Sequence, residues 1–381
     1  MLILAQTGTI RSHPNKKWLV WCFEKSTKQT LNKRKEKCME RVFDNSLSTN
    51  YSVMKNLSGP ITVSFDITTK CNLRCLHCYN NSGTNSAPEV SDEEILEIAR
   101  QIADMHPYNV CLCGGETLCR NNILDIMDIL RGNVGRISMV SNGFALKKEV
   151  AKKLIEHGLD HIQISLDGAD KFQHDTFRGR KGSFEQAVKA IEYLKEYDIS
   201  RIATSLVPNK LNYKSVKKYM DLCYGLGVDN VRMMPFIPSG RGRTIGRNLM
   251  LSDLDYFYFL RDVEEECYLY AGKMQIEWGD PLDHMRRMPY NAYNGLRTYC
   301  MEVKANADIT VTTYLPIVVG NCRKHSLKEY WDKGYCCIWN DERVIAQVDR
   351  IQNIYDFDLF EPAPYSGEKL YYDIFGGKDE I

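Results

Sequence analysis

Three cysteines stand close together in TTKCNLRCLHCYNNSG: Cys71, Cys75 and Cys78, spaced C-x3-C-x2-C. Thiolates are soft ligands, and soft ligands select iron–sulfur clusters or zinc over hard cations. The run stops short of either closed site. A ferredoxin takes a fourth cysteine nearby, and none follows Cys78 until Cys111. Structural zinc also takes a fourth ligand. Three thiolates on a four-iron cluster leave one iron unligated, which is what a chelating small molecule needs. The triplet follows ITVSFDI (61–67), a β-branched and aromatic run, so it sits in a loop just past a strand end.

Those cysteines need a frame, and the flanking sequence supplies one. ITVSFDI is the first of six similar runs. The others are NVCLCG (109–114), RISMVSN (136–142), HIQISLDG (161–168), RIATSLVP (201–208) and DNVRMMPF (229–236). Helical patterns cover 92–105, 121–132, 147–158, 184–197, 212–226 and 253–271. Ser91 with Glu94, and Ser183 with Gln186, have capping-box spacing. Gly158 and Gly227 stand where helices close. Six strand-then-helix units in a row predict an α/β fold with a parallel sheet. Curled up, they form a partial (β/α)6 TIM-type barrel whose chemistry lies at the carboxyl ends of the strands. After residue 272 the alternation is expected to stop. KMQIEWGD (273–280) reads as another strand, ADITVTTYLPIVVGN (307–321) as a hairpin and SLKEYWDKG as a short helix.

With this setting on the page, the cysteine loop resembles the radical S-adenosylmethionine superfamily, whose motif is C-x3-C-x-aromatic-C. His77 takes the aromatic position. The resemblance implies a [4Fe–4S] cluster on Cys71, Cys75 and Cys78, with S-adenosylmethionine chelating the open iron. Reductive cleavage of that cofactor gives methionine and a 5′-deoxyadenosyl radical, which abstracts hydrogen; the cofactor carries the chemistry and the protein aims and shields it. Further segments match at successive strand ends. Gly114, Gly115 and Glu116 follow the second strand, where the family binds the cofactor's amino group; glycines allow backbone conformations and approaches that a side chain blocks. Ser141 and Asn142 follow the third. Ser165 and Asp167 end the fourth, where polar groups meet the ribose or the cofactor's polar end. Arg178 resembles an arginine that pairs with the cofactor carboxylate, in a bidentate geometry lysine cannot match.

HDTFRGRKGSFEQAVKAIEYL resembles the peptide-modifying branch, and DITVTTYLPIVVGNCRKHSLKEYW its small C-terminal SPASM or twitch domain. The implied organisation is a basic N-terminal extension (1–58), the barrel (59–245), its last helix with a bridging region (246–294), the SPASM/twitch-like domain (295–345) and a tail (346–381). The pattern departs from the family. Thr313 and Pro316 stand where a cysteine is usual, and no cysteine follows Cys337. Cys300, Cys322, Cys336 and Cys337 cannot furnish two auxiliary clusters. They allow one auxiliary [4Fe–4S] cluster; the competing reading is a degenerate domain with buried thiols. The expected activity is hydrogen abstraction from a ribosomally made precursor peptide. The product is a cross-link (thioether, ether or carbon–carbon) or an epimer, and Cys119, Cys300 and Cys322 are candidate hydrogen donors for the latter. A flavodoxin- or ferredoxin-type protein would supply electrons. The alternatives are a small-molecule enzyme of haem-pathway or alcohol-oxidising type, and a non-catalytic metal-binding scaffold.

The bulk composition fits a globular enzyme. The chain has 381 residues, 44% hydrophobic and 26% charged, enough for a large core. A net charge of +1 gives no signal for nucleic acid or an anionic membrane. The first residues hold no secretory signal and no stretch is apolar enough to span a bilayer, so a soluble cytoplasmic protein is expected. The 14 cysteines therefore read as metal-binding, catalytic or buried thiols rather than disulfides. Cys111 and Cys113 share one face of a strand and read as core, as does Cys223 on a helix. SGRGR (239–243) reads as a solvated loop or an anion clamp, and Trp18 and Trp21 as packing.

Overall fold

The computed structural model describes residues 54–83, 88–359 and 369–376. Two compact units divide the chain, Met1–Asn56 and Leu57–Ile381. The expected basic extension and its Trp18 and Trp21 lie outside the described residues, apart from its last few positions. All that follows concerns the second unit.

Its elements run β1 (Thr62–Asp66), α1 (Asp92–Asp104), β2 (Asn109–Cys113), α2 (Ile123–Leu130), β3 (Arg136–Ser141), α3 (Lys148–Glu156) and β4 (Leu159–Ser165). Two helices follow where one was expected, α4 (Lys171–Arg178) and α5 (Ser183–Lys195). Then come β5 (Arg201–Leu206), α6 (Val216–Gly225), β6 (Asn230–Met233), α7 (Asp253–Leu269), β7 (Gln275–Trp278) and α8 (Pro281–Tyr293). The C-terminal part holds β8 (Cys300–Val303), β9 (Asp308–Thr310), β10 (Ile317–Asn321), α9 (Leu327–Lys333), α10 (Glu342–Val348) and β11 (Leu370–Tyr371).

The partial barrel and the C-terminal hairpin with its helix are both present. The strand order is β11-β10-β9-β8-β1-β2-β3-β4-β5-β6-β7. Strands β1 to β7 are parallel neighbours in sequence order. The alternation does not stop at residue 272. β7 joins the sheet beside β6, and α8 carries the chain across to β8, which pairs parallel with β1 on the other side. The hairpin β9–β10 then extends antiparallel from β8. The C-terminal segment therefore shares the barrel's own sheet.

Alternation decides which side of that sheet is the core. Val63 and Phe65, Val110 and Leu112, Ile137 and Met139, Met301 and Val303 are almost fully buried among the apolar faces of the helices. The alternate positions face the lumen, and on β1, β2, β3 and β8 they include Ser64, Asp66, Cys111, Cys113, Ser138, Cys300 and Glu302. A closed barrel fills its interior with branched apolar side chains. This one lines it with small and polar groups and leaves it open between β7 and β8.

Helix ends follow local chemistry. Ser91 and Glu94 form the expected capping box: Glu94 N–H donates to Ser91 Oγ at 3.1 Å and Ser91 N–H to Glu94 Oε2 at 2.8 Å. The box expected from Ser183 and Gln186 does not form. Asp175, one turn before the end of α4, takes its place and accepts from Gly182 N–H at 2.6 Å and Phe184 N–H at 2.8 Å. Among the described residues no helix is long and apolar enough to cross a membrane.

The pairing of β8 with β1 is testable. Met301 is fully buried at this junction. Met301→Ala should cost about 2–5 kcal/mol through the cavity it leaves. Thermal unfolding should show one transition displaced downward by several degrees; an unmoved midpoint would refute the packing described.

Candidate active site

The loop from Cys71 to Cys78 is held on all sides. Gly115 N–H donates to Thr68 O and Glu116 N–H to Lys70 O, both at 2.8 Å. A Cβ on Gly115 would lie 2.2 Å from Lys70 O, so only glycine allows this approach. Leu76 N–H donates to Phe177 O at 2.9 Å. From the far side comes the loop after β6. A Cβ on Gly246 would lie 2.2 Å from Leu76 O. Arg241 donates from Nε to Cys75 O at 2.9 Å and from NH1 to Ser82 O at 2.9 Å and Asn81 Oδ1 at 3.2 Å. Arg241 is 9% exposed. The SGRGR segment is therefore neither a solvated loop nor an anion clamp; it braces the cysteine loop.

The thiols meet donors suited to thiolates. Leu73 N–H donates to Cys71 Sγ at 3.4 Å, and Asn142 Nδ2 approaches the same sulfur at 3.9 Å. Arg178 NH1 lies 3.7 Å from Cys75 Sγ. Burial pushes Cys71 up to about 12. It also raises Cys75, against the pull of Arg178. Bare thiolates are unfavourable here, and a bound cation relieves that penalty. Among the described residues no three Cys, His, Asp or Glu side chains converge as ligands of a single ion would. A four-iron cluster asks less, because each thiolate binds a different iron. Arg178 Nε is buried with no hydrogen-bond partner, as is His77 Nδ1. Donor chemistry and orphaned polar atoms together fit a cluster with a polar ligand beside it.

Two networks reach two of the sulfurs. Glu116, fully sequestered after β2, accepts from Ser141 Oγ at 2.8 Å and Asn142 N–H at 2.7 Å. Burial raises its carboxyl, and these donors oppose the rise. Asn142 Nδ2 in turn donates to Asn72 Oδ1 at 2.8 Å, beside Cys71. The second network starts after β4. Asp167, with no exposed surface, pairs with Arg178 NH2 at 2.5 Å and accepts from Val207 N–H at 2.7 Å. Arg178 then reaches Cys75. Asp167 is thus already occupied as the partner that orients Arg178. Ser165 is buried at the end of β4, in register with Ser205 of β5. Gly114 carries a φ of +137°, backbone that favours glycine.

The remaining cysteines disperse. Cys119 ends a short 3-10 turn after Glu116, and burial raises its thiol while Asn72 N–H opposes. It flanks the cysteine loop. Cys300 faces the lumen from β8, and burial pushes it up to about 12. Cys322 is buried after β10 beside Asp308 and Arg323. Cys336 and Cys337 are adjacent, with sulfurs 3.8 Å apart, and burial pushes Cys336 up to about 11. Thr298 N–H donates to Cys336 O at 2.8 Å, so this pair lies against the segment that leads into β8. Cys111 and Cys113, expected in the core, line the lumen instead.

Three residues have roles that the sequence did not show. Arg241 had only its flanking glycines as a signal. His77 stacks on Phe177 at 4.0 Å with its edge toward Phe236, and burial with nearby guanidinium groups holds it neutral. His174 accepts Asp167 N–H on Nδ1 at 3.1 Å, and burial lowers it to about 3.

Arg241→Ala takes the guanidinium donors from Cys75 O, Ser82 O and Asn81 Oδ1, leaving Cys75 O with Cys78 N–H at 3.3 Å. It should cost about 3 kcal/mol or more and lower the iron retained per chain, with Arg241→Lys restoring little because it cannot reach both acceptors; unchanged iron content contradicts the bracing role. His174 gives a pH dependence. The folded chain protonates it near pH 3, the unfolded chain near 6.5. Its contribution is complete above pH 6.5 and is lost as pH falls toward 3. Between pH 6.5 and 4.5 the loss should be roughly 2 kcal/mol. His174→Asn, which keeps an acceptor for Asp167 N–H, should remove that part of the slope in denaturant unfolding.

Comparison with known proteins agrees with this geometry. The family model of the Radical SAM superfamily matches residues 65–223, a stretch that contains the cysteine loop and both networks. The AdoMet-dependent heme synthase of Methanosarcina barkeri is 25% identical over 346 residues, covering 81% of this chain and 96% of that protein. The mycofactocin maturase MftC of Mycolicibacterium smegmatis is 31% identical over 195 residues; the match covers 51% of this chain and 49% of MftC, about half its length. The solved structure of SuiB from Streptococcus suis bound to S-adenosylmethionine aligns with a TM-score of 0.61 and 18% identity, over 77% of this chain and 70% of SuiB. SuiB bound to its precursor peptide SuiA aligns at 0.59 and 15%, over 94% and 80%. These two likenesses are of fold. Residues 65–223 thus carry the radical S-adenosylmethionine domain of an enzyme that uses a [4Fe–4S] cluster and S-adenosylmethionine.

Proposed function

We propose that this enzyme abstracts a hydrogen atom from a ribosomally synthesised peptide and leaves a cross-link or an epimer. The observation that carries the reading is the pair of networks ending on Cys71 and Cys75, set above an open polar lumen. Cys71, Cys75 and Cys78 hold the cluster. When bound, the cluster and S-adenosylmethionine supply a 5′-deoxyadenosyl radical. The chain's own residues do the rest. Arg178, fixed by Asp167, offers its unpaired Nε to the cofactor carboxylate. Gly114, Gly115 and Glu116 face the amino end, and Ser141, Asn142 and Ser165 complete the polar wall. The open lumen admits a chain-like substrate, and similarity to MftC supports a peptide. A flavodoxin- or ferredoxin-type protein delivers the electron.

A second reading has one observation in its favour: the alignment with the haem synthase runs nearly its full length. It makes the substrate a small molecule of the haem pathway. The two readings part in one experiment. Reconstituted, reduced enzyme is incubated with S-adenosylmethionine and a short precursor peptide drawn from its gene neighbourhood, and the peptide is examined by mass spectrometry. Loss of two hydrogens marks a cross-link; a mass unchanged in H2O and raised by the one deuterium taken up in D2O marks an epimer. Release of 5′-deoxyadenosine with an unmodified peptide favours the second reading. Cys75→Ala should abolish 5′-deoxyadenosine formation, and full activity in that variant contradicts both. Iron content addresses the auxiliary site: about four irons per chain excludes an extra four-iron cluster at the C-terminal cysteines, and about eight supports one.

A further inference from the structure

Two lumen thiols have no part in holding the cluster. On β2, Val110 and Leu112 point into the helix layer with no exposed surface, and Cys111 and Cys113 point the other way. Their sulfurs are 3.4 Å apart. Their neighbours are not those of packing thiols. Ser64 Oγ lies 3.9 Å from Cys113 Sγ. Ser138 and Ser64 stand beside Cys111 in register, and Asp66 beside Cys113. Cys113 directly precedes Gly114, so the pair begins one residue below the segment assigned to the cofactor. One residue along a strand is about 3.3 Å.

We propose that Cys111 and Cys113 act as a dithiol that quenches carbon radicals formed in the lumen. One thiol gives its hydrogen atom to the radical, making a C–H bond and leaving a thiyl radical. The neighbouring thiolate adds to the thiyl sulfur, and an S–S bond forms carrying one extra electron. An oxidised iron–sulfur centre accepts that electron, leaving a neutral disulfide. An external dithiol then reduces the disulfide and returns two protons and two electrons. Alternate residues of a strand are about 6.6 Å apart at Cα, near the upper limit for a disulfide. Such a bridge is easily reduced and suits a cycling pair better than a staple. Hydrogen bonding from Cys113 and Ser138 lowers Cys111, and Cys113 is raised, so the pair offers one thiolate and one thiol. For a peptide substrate, which rests on the reading above, this chemistry gives an epimer rather than a cross-link.

The test needs no substrate. Holoenzyme in D2O is given S-adenosylmethionine and a one-electron reductant, without added thiol. The thiols exchange with solvent, so 5′-deoxyadenosine should carry deuterium. Alkylation and mass mapping of the tryptic peptide 101–120 should find a Cys111–Cys113 bridge in proportion to it. Deuterium should fall to background when Cys111 and Cys113 are both replaced by serine, and remain in Cys267→Ala, an exposed thiol on α7. Unlabelled 5′-deoxyadenosine from the wild type, or label retained in the double variant, overturns the proposal. If the double variant does not fold, the bridge in the wild type decides: its absence after turnover is equally fatal. Peptide turnover is measured separately, so failure of the peptide reading leaves this result intact.

Discussion

Everything at the candidate site depends on how a polar loop carrying three thiols is held in place. Cys75 is gripped from two sides, by Arg178 at its sulfur and by Arg241 at its carbonyl. Buried guanidinium groups are tolerable only when paired, and a broken pair costs far more than the pair contributes. Arg178 has Asp167 as its partner. Arg241 has no carboxylate among the contacts described and spreads its donors over the loop's backbone and Asn81. The loop therefore has little freedom to move relative to the strand ends that face it.

The sheet turns this local rigidity into geometry. Glu116, Asn142 and Asp167 follow the ends of β2, β3 and β4, which are hydrogen-bonded neighbours in a fixed parallel register. Two of these ends act on Cys71 and one, through Arg178, on Cys75. The polar groups are buried and, apart from orphans such as Arg178 Nε, paired with one another, which in a medium of low dielectric makes a network stiff rather than merely stable. The same sheet sends its apolar residues into the helix layer. The core holds the enzyme together from outside the barrel, so the lumen need not be filled.

The charge pattern follows from the same burial. Two arginines concentrate positive charge beside Cys75; His77, acted on by both, and His174, acted on by Arg178, stay neutral because a further cation would meet both desolvation and repulsion. A site that collects fixed cations next to sulfur is arranged for a negatively charged cluster and for a carboxylate, not for a further metal ion.

Much of this was legible along the chain. Cysteine spacing, strand and helix periodicities, and Gly114, Glu116, Ser141, Asn142, Asp167 and Arg178 at successive strand ends are local signals. Each reflects a constraint acting over a few residues. What the sequence could not determine involves partners distant in sequence. β8 crossing to pair with β1 and Arg241 reaching Cys75 across 166 positions are decided by competition among contacts that exist only once the sheet has curled. The face taken by Cys111 and Cys113 is of the same kind. Strand alternation fixes that the two agree, but only the packing of helices on the other side of β2 decides that they look into the lumen.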